Sequence, residues 1–286
     1  MDIGIGLPTW LPGIDGTLLV DWSRRAEDLG FASLGALDRL MYDVYEPLTA
    51  LAVAAGATRR IRLTTSILIA AYRADRALLV KQLASLDRLS GGRLTVGVAA
   101  GGRDDDYIAS GTEFSGRGAR LEEFVGQLRA FCDGGSDGPV PGPRPTKGCP
   151  PILFGGHSER AMNRAAVHGD GWIAGGSSAS AYGELASRAR KAWLAAGRPD
   201  QPRLAAIAYV ALGGDAALNE ARHHLTGWYA FTGWKTDMAV RSVLSTPDAV
   251  REFVAGYRAA GCDELILFPC VRDPGQADLI AQAALR

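Results

Sequence analysis

Short apolar runs alternate with amphipathic stretches along the whole chain. Most of these runs are continuously apolar, which is typical of parallel strands that are buried on both faces. Eight runs are predicted strands, at residues 3–7, 32–37, 61–69, 94–99, 151–154, 171–174, 204–212 and 264–268. Because a strand followed by a helix is repeated eight times, the pattern predicts an α/β fold, a single (β/α)8 TIM barrel, with an open doubly wound sheet as the alternative.

Two of the intervening stretches carry specific helix signals. In the first, apolar side chains recur three or four residues apart and form one helix face, at Leu121, Phe124, Val125, Leu128 and Phe131. The second begins with Thr246 as the N-cap and Pro247 at the first helical position, and it ends near Gly261. Since strands and helices continue beyond the Gly- and Pro-rich residues 133–150, we interpret these residues as a surface loop within one domain, residues 1–286.

The 286 residues include 31 basic and 31 acidic side chains, so the net charge is zero. This balance argues against nucleic acid as a partner, because phosphate binding requires a surplus of cationic side chains. The chain has no apolar run long enough for a membrane span and no export signal at its N-terminus. Its four cysteines include no C-x-x-C pair. These observations favour a cytoplasmic protein that acts on a small-molecule substrate.

In a (β/α)8 barrel, functional groups lie at the carboxyl ends of the strands. After the fifth predicted strand, Gly155, Gly156, His157 and Ser158 form a glycine turn at the start of a helix. Free N–H groups and the helix dipole favour an anion such as a phosphate there. The alternative is a plain glycine turn in which Ser158 caps the helix.

The sequence offers few groups for other kinds of chemistry. It contains no His-x-His pair for a hydrolytic metal and no G-x-S-x-G nucleophile elbow. The acidic run Asp104, Asp105 and Asp106 is interpreted as a solvated helix start, so no metal site is predicted. The absence of an obvious acid, base or nucleophile indicates that a bound cofactor carries the chemistry.

Six short motifs occur in order along nearly the whole chain. They are AEDLGF (26–31) leading to Asp38-Arg39, RLTTSI (62–67), LDRLSGGRL (86–94), VGV (96–98), GG-x-S (155–158) and GDGW (169–172). In this order and spacing, the motifs resemble those of the bacterial luciferase-like family of flavin-dependent oxidoreductases. Members of that family are (β/α)8 barrels, so the resemblance implies the same fold as the periodicity.

The resemblance also implies a flavin site at the carboxyl end of the barrel. In relatives, a bulge with a non-prolyl cis peptide at the end of strand three backs the isoalloxazine ring, and Ser66 and Ile67 match it. The glycine turn after strand five matches the loop that holds the phosphate. The predicted cofactor-binding residues are Asp38, Ser66, Ile67, Ala100, Gly101, Gly155, Gly156, Ser158, Gly175 and Gly176.

Two positions depart from the family pattern. Many relatives have a histidine after the acidic residue that ends strand two, where this chain has Arg39. Dehydrogenases of the deazaflavin branch commonly have a carboxylate where this chain has Gly102. Arg39 cannot act as a base at neutral pH, but its charge could stabilise an anionic reduced flavin or a substrate carboxylate. The candidate catalytic residues are Arg39 and His157, and further candidates for the pocket wall are Trp10, Tyr72, Tyr107 and Trp172.

The resemblance leaves three functions open. The first is a flavin-dependent monooxygenase that oxidises a small organic substrate with oxygen and reduced FMN, which a separate flavin reductase supplies. The second is an oxidoreductase that transfers a hydride with the deazaflavin coenzyme F420. The third is a non-catalytic flavin-binding barrel. Relatives are often dimers, so a homodimer is a further expectation.

Overall fold

A computed structural model of the chain describes residues 1–135, 142–232 and 235–286. Within these residues, eight parallel strands form a closed barrel in which neighbouring strands pair and β1 also pairs with β8. The strands are β1 (Asp2–Gly6), β2 (Ser33–Ala36), β3 (Arg62–Ile69), β4 (Leu94–Ala99), β5 (Ile152–Gly155), β6 (Gly171–Ala174), β7 (Arg203–Val210) and β8 (Glu264–Pro269). The predicted (β/α)8 barrel is confirmed. The open-sheet alternative is wrong, because Ile3 pairs with Leu265 across the closing seam.

Helices surround the barrel and connect its strands. They are α1 (Gly16–Leu29), α2 (Pro47–Ala57), α3 (Arg76–Ser90), α4 (Asp104–Ala109), α5 (Arg117–Asp133), α6 (Glu159–His168), α7 (Ala179–Ala195), α8 (Asp215–Tyr229), α9 (Lys235–Arg241), α10 (Pro247–Ala259) and α11 (Gln276–Ala284). Among the residues that the structure describes, no helix combines the length and the apolar character that a membrane crossing needs.

Both predicted helix signals are confirmed. Helix α5 buries the whole predicted apolar face, which consists of Leu121, Phe124, Val125, Leu128 and Phe131. Helix α10 begins after Thr246, whose side-chain oxygen accepts a hydrogen bond from the Ala249 N–H at 3.1 Å. Pro247 occupies the first helical turn, where its missing N–H costs nothing.

The Gly- and Pro-rich stretch begins at Asp133, which still belongs to α5. Residues 142–150 lie outside helices and strands, and most of them are exposed. The backbone N–H of Thr146 donates a hydrogen bond to the carboxylate of Asp87 in α3 at 2.7 Å, which fastens this part of the stretch to the barrel. Residues 136–141 of the predicted loop lie outside the described residues.

Strand β3 is irregular at the position where the resemblance predicts a bulge. Its pairing with β4 shifts register between Thr65 and Leu68, and the peptide bond between Ser66 and Ile67 is cis. The Thr65 hydroxyl donates to the carbonyl of Gly97 in β4 at 2.8 Å, so the two strands stay joined beside the bulge. The predicted bulge and its cis peptide are therefore confirmed.

Candidate functional site

The candidate site is a pocket at the carboxyl ends of the strands, where this architecture places functional groups. Its volume of about 220 Å³ is below the roughly 300–1,000 Å³ of pockets that enclose most of a ligand, so a larger ligand would extend over its rim. The lining residues come from the ends of β2, β3, β4 and β7, from α4 and from the segment around the end of α8: Leu37, Asp38, Ser66, Ile67, Ile69, Ala99, Gly101, Gly102, Arg103, Asp106, Tyr107, Ile207, Tyr209, Trp228, Tyr229 and Phe231.

Asp38 is the most heavily bonded carboxylate of the pocket. Its oxygens accept hydrogen bonds from the Ile69 N–H and the Tyr72 hydroxyl, both at 2.8 Å, and it forms an ion pair with Arg73 at 3.2 Å. Burial raises the pKa of the Asp38 carboxyl, while the Arg73 charge and the hydrogen bonds oppose that rise. The carboxylate thus fastens the end of β3, including the bulge, to the end of β2. Of the predicted cofactor-binding residues, Asp38, Ser66, Ile67 and Gly101 line the pocket.

The predicted glycine turn begins at the last residue of β5 and does not itself line the pocket, but it packs against Ile67, which does. An added Cβ at Gly155 would overlap the Cδ1 atom of Ile67, so Gly155 allows Ile67 to pack directly against the backbone of β5. Gly156 has a φ of 124°, a conformation that side chains other than glycine rarely adopt. Its carbonyl accepts a hydrogen bond from the indole N–H of Trp172 at 2.7 Å. The turn is thereby held in one shape next to the bulge.

Ser158 caps helix α6, since its hydroxyl oxygen accepts a hydrogen bond from the Ala161 N–H at 3.2 Å. His157 is exposed, and its ring lies 6.3 Å from that of Trp172. Gly175 follows β6 beside His157, and Gly176 comes next. Together with Ala100, these predicted residues lie near the rim and are not among the residues that line the described pocket.

Arg39 lies beside the pocket and is largely buried, with 8% of its side chain exposed. Its guanidinium donates to a carboxylate oxygen of Asp105 at 3.0 Å and to the Trp228 carbonyl at 3.3 Å. It also lies 4.8 Å from the ring centroid of Tyr42. Asp105 already partners the charge of Arg39, and the catalytic role of Arg39 stays a prediction.

The three consecutive aspartates form the first turn of α4, as the sequence predicts. Asp105 pairs with Arg39, whereas an oxygen of Asp106 accepts the N–H groups of Leu40 and Met41 at 3.1 and 2.7 Å. Across the described residues, no group of three or more His, Cys, Asp or Glu side chains is placed to hold a metal ion.

Two tyrosines form a hydroxyl pair in the pocket wall. The hydroxyl oxygens of Tyr209, at the end of β7, and Tyr229, at the end of α8, are 2.9 Å apart, and either can be the donor. Burial raises the pKa of Tyr209 well above 10 and raises that of Tyr229 as well. Both phenols are therefore protonated at neutral pH and can donate a proton to a ligand.

Several residues that line the pocket have no predicted role. Arg103 lies in the segment after strand four, so the strand-end rule contains a signal for it, whereas Tyr209 lies inside the seventh predicted strand. Trp228, Tyr229 and Phe231 reach the pocket from the far end of α8, for which no local pattern exists. Of the predicted wall residues, Tyr107 lines the pocket, whereas Trp10, Tyr72 and Trp172 are buried around it.

The residues present fit a flat ring with an anionic tail. Ala99, Gly101 and Gly102 leave one side of the pocket free of bulky side chains, and Ile67 and Ile207 supply apolar surface for a ring. The start of α6 carries N–H groups that no carbonyl of the helix can satisfy, and an anionic tail could bind there. The geometry is compatible with a coenzyme whose ring would lie in the barrel mouth.

Sequence comparisons match the chain to known proteins. A family model described as luciferase-like monooxygenase matches residues 12–261. An uncharacterized protein of Mycobacterium tuberculosis is 30% identical over 209 residues, which span 62% of this chain and 72% of that protein. An F420-dependent glucose-6-phosphate dehydrogenase of Amycolatopsis mediterranei is 30% identical over 120 residues, which span 39% of this chain and 36% of that enzyme.

Solved structures share the whole fold. The monooxygenase RslO1 from Streptomyces bottropensis has a TM-score of 0.83 at 22% identity, covering 100% of this chain and 99% of that one. An F420-dependent secondary alcohol dehydrogenase in complex with an F420-acetone adduct has a TM-score of 0.81 at 17% identity, covering 99% and 98%. At such low identity, these likenesses describe the barrel architecture.

Proposed function

The chain belongs to the luciferase-like monooxygenase family, whose members are oxidoreductases, and we propose that it is a reductase that uses coenzyme F420 to reduce a small organic carbonyl substrate. The observation that carries this proposal is the tyrosine hydroxyl pair in the pocket. Support also comes from the F420-dependent dehydrogenase of Amycolatopsis mediterranei, to which the chain is 30% identical over 120 residues.

A carbonyl group that gains a hydride at carbon must also gain a proton at oxygen. The Tyr229 hydroxyl lies in the pocket wall and can donate that proton, and the Tyr209 hydroxyl, 2.9 Å away in the same wall, can replace it. Because burial raises the pKa of both phenols, each is a proton donor rather than a base at neutral pH. A protonated phenol can supply the proton that the carbonyl oxygen gains during reduction.

The coenzyme would lie between the β3 bulge and the small residues of β4. When bound, F420 supplies the hydride chemistry. Ile67 and Ile207 would contact its ring, and Asp38 would keep the bulge in place through the Ile69 N–H. The turn of Gly155 and Gly156 and the start of α6 would hold the phosphate, as the resemblance implies.

Replacing Gly155 by alanine should weaken coenzyme binding by about tenfold or more. The added methyl group overlaps Ile67, and relieving such overpacking costs about 1–3 kcal/mol, so we expect Ile67 to be pushed toward the ring site. Titration of the protein's tryptophan fluorescence with F420 measures the affinity. As the control, Gly126→Ala adds a methyl group in open space on α5, and its affinity should equal that of the wild type. Unchanged binding by Gly155→Ala would refute the contact between this turn and the ring site.

A monooxygenase that uses reduced FMN and oxygen is the second candidate. The apolar part of the wall favours it, because Ile67, Ile69 and Ile207 would exclude water from the ring site, where FMN would supply the chemistry with oxygen. The description of the family model as luciferase-like monooxygenase also supports it. The same residues would contact the ring in both cases, so the two candidates differ in the coenzyme and in the need for oxygen.

A direct experiment separates the two candidates. The purified protein is titrated with F420 and with FMN, each oxidised and reduced, and Trp228 in the pocket wall makes tryptophan fluorescence the readout. Oxidation of reduced F420 is then followed with benzaldehyde and benzoylformate as carbonyl probes, with and without oxygen. We expect F420 to bind more tightly than FMN and turnover to be independent of oxygen. Tighter binding of reduced FMN with substrate-dependent oxygen consumption would overturn the F420 proposal in favour of the monooxygenase.

A further inference from the structure

Arg103 stands in the pocket wall, immediately before α4. Its guanidinium donates a hydrogen bond to the Trp228 carbonyl at 3.1 Å. The guanidinium carbon also lies 4.7 Å from the ring centroid of Trp228 and 4.4 Å from that of Phe231. These contacts hold the cation against an aromatic surface, so its position in the pocket is defined.

In the part of the chain that the structure describes, Arg103 forms no ion pair. The three acidic residues that follow Arg103 in the sequence form no ion pair with it, and an oxygen of Asp104 accepts a hydrogen bond from the Asp105 N–H at 3.1 Å. Asp105 pairs with Arg39 at 3.0 Å, and an oxygen of Asp106 accepts two backbone N–H groups. Arg39 is itself a second cation, and both arginines donate to the same carbonyl, that of Trp228. The pocket therefore contains a positive charge that no neighbouring carboxylate neutralises through direct contact.

Such a charge is costly unless a counter-ion joins it. Burial and the neighbouring Arg39 charge lower the pKa of Arg103, yet a guanidinium stays charged at neutral pH. The group has five N–H donors, and the Trp228 carbonyl accounts for one of them. The remaining donors can form a two-point contact with a planar carboxylate or with a phosphate.

We propose that Arg103 binds an anionic group, a carboxylate or a phosphate, on the substrate. The anion would contact the guanidinium, and the rest of the substrate would lie against Tyr229 and Phe231 in the same pocket. This site is separate from the predicted phosphate loop, because Arg103 follows β4 and lines the pocket, whereas Ser158 follows β5 and does not line it. The assignment of the anion to a substrate depends on the proposed function, but the anion site itself does not.

Binding of small aromatic probes tests the proposal. Benzoate, phenyl phosphate and the neutral benzamide are titrated calorimetrically into the wild type, Arg103→Gln, Arg103→Lys and the control Arg60→Gln. Arg60 is exposed and precedes β3 at the opposite end of the barrel, so its variant has the same change in charge without touching the pocket. Affinity for F420 is measured separately for each protein, and melting temperatures establish that the variants are folded.

We expect one or both anions to bind the wild type at least about tenfold more tightly than benzamide, as for a charge-assisted hydrogen bond. Arg103→Gln should abolish this preference, Arg103→Lys should keep part of it, and Arg60→Gln should keep all of it. The stronger of the two anions identifies the substrate group as a carboxylate or a phosphate.

Equal binding of anions and benzamide by the wild type, or an unchanged preference in Arg103→Gln, would overturn the proposal. So would a loss of F420 affinity in Arg103→Gln as large as the loss for the anion, since Arg103 would then bind the coenzyme. Failure of the proposed function is a different result, namely no F420 binding by the wild type, and the anion preference is measurable even then.

Discussion

Replacing Tyr229 by phenylalanine should lower the turnover number for reduction of benzoylformate by reduced F420 about 10²-fold. The substitution removes the hydroxyl that lies 2.9 Å from the Tyr209 hydroxyl and leaves the aromatic ring in the pocket wall. A positioned proton donor contributes about 10²–10⁴-fold to a rate, and we expect the lower end because a water molecule can replace a phenol at an open pocket. KM should change little, since the lost group acts on the developing negative charge of the substrate oxygen.

The two neighbouring variants separate proton donation from structural damage. Tyr209→Phe keeps the Tyr229 hydroxyl and removes its partner, so turnover should fall by less than in Tyr229→Phe. Tyr45→Phe is the control, because the Tyr45 hydroxyl donates to the Ile14 carbonyl outside the pocket, at 2.6 Å. Its turnover should match that of the wild type. A Tyr229→Phe enzyme with unchanged turnover would exclude this phenol as the acid.

The pH dependence gives a second readout for the same residue. Burial raises the pKa of Tyr229 above the ordinary value of 10, so the protonated phenol is the main form throughout the range from about pH 7 to 10. An acid of this kind is active below its pKa and inactive above it. If the turnover number of the wild type declines anywhere in this range, the same decline should therefore occur in Tyr229→Phe. A decline near neutral pH that disappears in Tyr229→Phe would contradict the raised pKa.

The strand-end residues show why much of the pocket could be predicted from the sequence. Asp38 and Gly101 lie just beyond the ends of predicted strands, and both line the pocket. Ser66 and Ile67 also line it, but they lie within the third predicted strand and are predicted from the family resemblance. In a closed parallel barrel, the carboxyl ends of all strands meet at one rim. For residues that directly follow a strand, the apolar pattern is therefore enough to place them at the pocket, whereas the bulge within β3 is predicted only through the family resemblance.

The segment around the end of α8 shows where that reasoning stops. Trp228 reaches the pocket because its ring packs edge-on against Trp10, 5.6 Å away, and against Tyr42, 5.2 Å away. These three residues come from distant parts of the sequence, and no periodic or capping signal links them. The same packing brings Tyr229 to Tyr209 and the Trp228 carbonyl to both arginines. The proton donor and the anion site therefore depend on tertiary contacts that local patterns do not encode.

Another feature that the sequence did not reveal is an ion cluster at the opposite end of the barrel. Glu264 begins β8 and is fully buried, and its carboxylate pairs with Arg62 at 3.1 Å and with Arg203 at 2.7 Å. Arg62 begins β3 and Arg203 begins β7, so one carboxylate joins three strands at their amino ends. Residues at this end of a barrel contribute to stability rather than to catalysis.

Replacing Glu264 by glutamine should destabilise the protein strongly. The variant keeps the shape of the side chain but removes the charge that two arginines share, and breaking a buried ion pair in this way costs about 3–5 kcal/mol. We expect the lower end of that range, because the Arg62 and Arg203 side chains are 34% and 31% exposed and water can reach them. For a chain of this size, with an unfolding entropy of about 2.1 cal/mol/K per residue, that cost lowers the melting temperature by about 5 °C, which thermal unfolding followed by circular dichroism measures.

Asp2→Asn is the matched control, because Asp2 pairs with the same Arg62, at 2.6 Å, but is 49% exposed. Exposed ion pairs contribute about 0–1 kcal/mol, so the control should lower the melting temperature by a few degrees at most. Both variants should bind F420 with wild-type affinity below their melting temperatures, since the cluster and the pocket lie at opposite ends of the strands. Equal destabilisation by the two substitutions would mean that Arg62, and not the burial of Glu264, determines the stability of this end. Loss of coenzyme affinity in a folded Glu264→Gln protein would mean that the cluster also controls the shape of the distant pocket.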